Sequence, residues 1–147
     1  MIYLLFFVLC VIGLWISFYF TGVYYKWFST GVFWIPKICQ LKEANCITIL
    51  QTPRAKLWGL PNSVFGLALY LYLIATMYVL FVDVSAESRF VFSPWAALVF
   101  LALASARSVY LAHSLIFVTK VPCPLCFTTH VINLVLFFSV FKIVFFG

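Results

Sequence analysis

Acidic side chains are nearly missing from this chain: three Asp and Glu among 147 residues, with nine Lys and Arg beside them. Charged residues make up 8% of the sequence, whereas a water-soluble domain carries about 25%. That leaves too few polar groups to cover a soluble fold of this size, so the bilayer has to act as the solvent. A glycine-rich dinucleotide fingerprint is absent too, which argues against the flavin that a soluble oxidase would carry. No internal repeat, low-complexity tract or second domain is visible, and residues 1–147 read as one domain. The basic excess is local, since Lys26, Lys37, Lys42, Arg54 and Lys56 lie between two apolar runs. Such a cluster suits anionic lipid headgroups. With no fold signature beside it, nucleic acid is not an expected partner.

Apolar sequence is abundant: 67% of the residues are hydrophobic and 21% aromatic, and the mean hydropathy is +1.19. About 20 apolar residues cross a hydrocarbon core. The stretch from Met1 to Tyr25 has no charge and forms the first expected span. It lacks the basic leader and small-residue cleavage site of a signal peptide, and its apolar run is too long for one. The uncharged run from Leu57 to Val82 contains the second span, entering the bilayer near Ser63 or Val64, and Asp83, Glu87 and Arg89 mark a polar turn. A third span is predicted from Pro94 to about Val118, with Arg107 and His113 inside it. Lys120 to Pro122 breaks the pattern before a fourth span from Cys123 or Pro124 to about Phe146. The expected fold is an all-α membrane protein, a four-transmembrane-helix bundle with a cysteine-bearing loop between helices 1 and 2.

Four spans put both termini and the Asp83–Arg89 turn on one membrane face. The other face receives the Lys26–Asn62 segment and the Lys120–Pro122 link. All four paired cysteines gather there: Cys39 and Cys46 in the long segment, Cys123 and Cys126 at the start of the fourth helix. Cys123 and Cys126 have Cys-x-x-Cys spacing with Pro124 between them, a residue suited to a first helical turn. The unpaired N–H groups and positive dipole end of a helix start stabilise a thiolate, the species that attacks disulfides. Cys39 and Cys46 are seven residues apart, so in one continuous helix their Cα atoms would be about 10 Å apart. A disulfide requires roughly 4.4 to 6.8 Å. Bridging them therefore needs a bend, for which Glu43, Ala44 and Asn45 offer a place. A four-thiolate metal site is the main rival, usually built from two Cys-x-x-Cys pairs, and purely structural disulfides are a further one. Electrons leaving thiols in so apolar a chain suit a lipid-soluble acceptor such as a quinone, with Asn62 and Ser63 at the head of the second span as polar anchors. Asn62 could instead only cap that helix.

Cys39, Cys46, the phrase Leu57-Trp-Gly-Leu-Pro-Asn-Ser-Val-Phe-Gly66 and the run Cys123-Pro-Leu-Cys-Phe-Thr-Thr-His130 together resemble the vitamin K epoxide reductase family, in order and spacing over nearly the whole chain. The likeness is greatest to prokaryotic members, here expected as a single-domain form without the thioredoxin-like domain fused to some of them. The resemblance implies a quinone-linked oxidoreductase of the cell membrane in which Cys126 faces the quinone, Cys123 exchanges with Cys46, and Cys39 meets a thioredoxin-like carrier protein. Ubiquinone or menaquinone would be the acceptor, with no metal. By the same analogy Asn62 hydrogen-bonds a quinone oxygen, and Thr52 holds a hydroxyl position after the second loop cysteine. His130 stands where vertebrate members have a tyrosine at the pocket. Reduction of a quinone or vitamin K epoxide would use the same cysteines.

Other polar or reactive residues have plainer readings. Arg107 divides evenly between a structural and a site role, His113 reads as an interhelical hydrogen-bonding histidine, and Cys10 as packing. For sidedness, Lys26, Lys37, Lys42, Arg54, Lys56 and Lys120 fall on the cysteine face, against Arg89 and Lys142 opposite. Charge alone would set that face in the cytoplasm. Disulfide chemistry favours the exoplasmic side, which is the expectation adopted, the inverted orientation being its alternative.

Overall fold

The computed structural model describes residues 1–27, 56–57, 60–82, 90–119 and 124–146. Four long helices dominate it: α1 (Ile2–Tyr24), α2 (Asn62–Phe81), α3 (Pro94–His113) and α4 (Pro124–Phe146). Each is long and apolar enough to span a bilayer, and only 22–33% of the most apolar stretch of each is buried within the protein. The rest presents Phe7, Trp15, Val99, Val109, Phe138 and Phe145 outward. Lipid is the solvent that accepts such a surface. The protein is an integral, multi-pass membrane bundle.

The ends of the helices follow from local chemistry. α1 stops where its uncharged run meets Lys26, which adopts a left-handed backbone, φ 61°. Lys26 N–H donates to Val23 O at 3.2 Å and Trp27 N–H to Gly22 O at 2.8 Å, the paired bonds that satisfy the last carbonyls of a helix. A non-glycine residue in that conformation costs roughly 1–2 kcal/mol. α3 begins with Ser93 as its cap, whose hydroxyl accepts from Ala96 N–H at 3.2 Å, followed by Pro94 in the first turn. At the other end the structure departs from expectation: α3 closes at His113 and continues as a π-helical turn over Ser114–Thr119. Ser114 Oγ donates to Tyr110 O at 3.0 Å, a competing bond of the kind that distorts helix ladders. A two-residue antiparallel pair, β1 (Lys56–Leu57) with β2 (Leu60–Pro61), leads directly into α2.

Contacts at both ends fix an up-down bundle. Thr21 near the end of α1 is hydrogen-bonded to Ser63 near the start of α2 at 3.0 Å, while Tyr3 meets Phe81 edge-on at the opposite end. Trp95 at the start of α3 likewise meets Phe145 at the end of α4. The helices thus pair as α1 with α2 and α3 with α4, and α1 joins the pairs by packing on α4. The core runs along that join, through Phe6, Cys10, Tyr19, Leu73, Leu136 and Val140. Cys10 is fully buried in it. α2 and α3 touch only sparingly, which leaves a gap along their seam.

Candidate active site

The gap between α2 and α3 is a cavity of about 600 Å³, floored by α4. Its walls are chiefly apolar, with Phe65, Leu69, Phe100 and Leu103 among them. Polar groups enter at a few points: Asn62 from the start of α2, Arg107 and Ser108 from α3, and Asn133 from α4. The volume and the sparse polar anchors are those of a site for a small, largely apolar molecule, for which about 300–1,000 Å³ is usual.

Asn62 reaches this wall from the first position of α2, directly after Pro61 of β2. That places it inside the helix start and not at the preceding cap position. Ser63 turns elsewhere: it does not line the cavity, and its hydroxyl is engaged with Thr21 on α1. His130 lies buried on α4, off the cavity wall, and its Nδ1 has no hydrogen-bond partner among the described residues. Cys39, Cys46, Thr52 and Cys123 lie outside the described residues, as do the expected bend at Glu43–Asn45 and the side chain of Cys126. The position of Cys126 in the chain is described, in the first turn of α4. Seven residues separate it from Asn133, close to two helical turns, so both positions share one face of α4 about 10 Å apart along the axis. The starts of α2 and α4 are at the same end of the bundle, so the positions of Cys126 and Asn62 lie toward that end.

Asn133, the polar centre of the wall, was missed in reading the sequence. Tyr70 Oη donates to its Oδ1 at 2.6 Å, and its Nδ2 donates to Ser108 Oγ at 2.8 Å. Ser105 Oγ approaches its backbone carbonyl at 3.4 Å. A half-buried amide fixed at both ends in this way holds one orientation. The usable signal was its spacing: Cys126, His130 and Asn133 repeat at helical intervals on one face. Arg107, half-buried on the same wall, rests its guanidinium carbon 5.3 Å from the centroid of the Tyr110 ring. An arginine in mid-span costs about 2.5–3.5 kcal/mol on insertion scales, and a place beside the polar groups of the cavity wall, Ser108 and Asn133, reduces that penalty. His113 is exposed and sits with its ring 4.8 Å from that of Phe117, and no interhelical hydrogen bond to it is seen among the described residues. Among the described residues no cluster of three His, Cys, Asp or Glu could hold a metal.

The sequence profile of the vitamin K epoxide reductase family matches residues 4–141, from the first turn of α1 almost to the end of α4. The chain belongs to the vitamin K epoxide reductase family. Membership makes it an oxidoreductase of the membrane, working in thiol-disulfide or quinone chemistry, and the helical bundle agrees with that family's architecture. No individual curated protein matches the chain.

Proposed function

We propose that this family member is a quinone-dependent thiol oxidase that makes disulfides for export to other proteins. The observation that supports it best is the cavity itself: an apolar space with a few polar anchors, with Asn62 at the start of α2 and Cys126 in the first turn of α4, two helix starts at the same end of the bundle. A reduced thioredoxin-like carrier would give its electrons to Cys39 and Cys46. These reduce the disulfide of Cys123 and Cys126, each exchange being attack of a thiolate on a disulfide sulfur with one S–S bond formed as another breaks. Restoring that disulfide releases two electrons and two protons, which a quinone, ubiquinone or menaquinone, takes up to leave as hydroquinone.

The chain's own residues have the following parts in this reading. The start of α4 stabilises the thiolate at Cys126 through its unpaired N–H groups. Asn62 donates its amide N–H to a quinone oxygen, and the apolar walls keep water from the reacting end. The sparsely packed α2–α3 seam offers a lipid-soluble molecule a way in from the bilayer. The site works on the exoplasmic face of a prokaryotic cell membrane, where thiols are not kept reduced.

The test is direct. Purified protein in detergent should oxidise a reduced dithiol carrier only when quinone is added, and Cys126→Ala should abolish the reaction. Oxidation that proceeds at the same rate without quinone, or stoichiometric zinc retained through purification, would overturn the reading.

A further inference from the structure

His130 is a buried base that the proposed chemistry leaves unused. It is 8% exposed, lies off the cavity wall, and its Nδ1 has no hydrogen-bond partner among the described residues. An unpaired polar atom in such a place needs an explanation other than packing. Its position on α4 supplies one. α4 is continuous from Pro124, and His130 follows Cys126 by four residues, the spacing that sets two positions on one face with Cβ atoms about 5–6 Å apart. Long side chains on a helix lean toward its N-terminus, which for His130 is the turn that holds Cys126. Other bases are scarce. The chain has two histidines, and none of its three acidic residues, Glu43, Asp83 and Glu87, lies in the four helices. His113, the second histidine, is exposed on α3.

The groups that could bear on the charge of His130 are few. The helices around α4 bring Tyr19 and Tyr24 from α1, Tyr70 from α2, and Arg107, Tyr110 and His113 from α3. Asn133 is paired with Ser108 across α3 and α4 at 2.8 Å, which sets Arg107 about one turn beyond His130. That positive charge disfavours an isolated imidazolium and favours a thiolate, so His130 takes a proton only as the thiol loses it. We infer that His130 is the proton acceptor for the Cys126 thiol: the S–H bond breaks, an N–H bond forms at Nδ1 of an imidazole whose own proton sits on Nε2, and a thiolate and an imidazolium remain with no change in net charge. This rests on the oxidase reading and adds the proton path to it. When the quinone takes the two electrons of the thiol pair, the proton held by His130 is released as one of the two that end on the hydroquinone, and the imidazole is neutral again.

Alkylation by iodoacetamide tests this without quinone or turnover. Reduced full-length protein in detergent is labelled at two pH values, and the rate at Cys126 is read by peptide mass spectrometry. For an ordinary thiol, half ionised near pH 8.5, the rate falls about a hundredfold from about pH 9.5 to about pH 6.5. In wild-type protein it should fall by less than about tenfold, because an adjacent opposite charge favours the ionised form. His130→Gln cannot take up the proton, and His130→Asn serves if that variant does not fold; either should widen the fall by about tenfold. A residue that only packs would change the rate at both pH values alike and leave their ratio as it was. A hundredfold fall in wild-type protein, or an unchanged ratio in a folded variant, overturns this inference and leaves the oxidase reading standing. If Cys126→Ala still supports quinone-dependent oxidation, that reading fails and this inference with it.

Discussion

The two faces of α2 differ sharply in how they meet their neighbours. Toward α1 the helix is closed tightly, because small residues let the backbones approach: a Cβ on Gly13 would overlap the Tyr70 ring, and one on Gly66 would lie 2.7 Å from Ser17 Oγ. Toward α3 the same helix borders a cavity of about 600 Å³. In a bilayer, helices associate through such close packing and through interhelical hydrogen bonds, since lipid tails compete for every apolar surface. One seam of α2 therefore supplies stability and the other supplies space. Tyr70 connects them, its ring against Gly13 and its hydroxyl on Asn133.

Changes at the closed seam should be felt most in stability. Gly13→Leu forces a branched side chain into the Tyr70 ring, and overpacking of this kind costs about 1–3 kcal/mol, occasionally more. Thermal unfolding in detergent should show a clear loss, which Tyr70→Ala in the same chain should partly restore. Should Gly13→Leu unfold at the wild-type temperature, the closed seam is not where stability resides. Tyr70→Phe keeps the ring and removes only the hydrogen bond to Asn133, so about 0.6–1.7 kcal/mol should be lost. That variant should also bind naphthoquinones more weakly, because Asn133 is no longer held. Gly66→Ala opposes only a hydroxyl, and a cost near 1 kcal/mol or less that Ser17→Ala relieves would locate the strain at that contact. At the open seam the pattern inverts. Ala104→Phe projects a ring into the cavity and should leave the unfolding temperature almost unchanged while eliminating quinone-dependent thiol oxidation. Oxidation at the wild-type rate in that variant would show that the cavity is not the quinone site.

Legibility in the sequence followed how far each feature depends on neighbours in the chain. Span positions were readable, because runs of about twenty mostly apolar residues have few other stable arrangements, and Pro94 marks a helix start by itself. The close of α3 was not, since a π-helical turn at Ser114–Thr119 leaves no composition signal in an apolar run. Asn62 was singled out and the structure sets it on the cavity wall. Ser63, its neighbour, was singled out on the same grounds and faces α1. One residue along a helix is a rotation of about 100°, and composition cannot say which of two adjacent polar residues points inward. Asn133 went unnoticed because one amide in an apolar helix has meaning only once Tyr70 and Ser108 are beside it.

The sequence alone determined that this chain lives in a bilayer and that it crosses four times, since hydrophobic length and the count of apolar runs are properties of the chain itself. Which helices touch and which stand apart was decided by tertiary structure. A cavity is the space left where two surfaces fail to meet, and its polar groups come from residues far apart in sequence, so Asn62, Arg107, Ser108 and Asn133 become one site only after the bundle has formed.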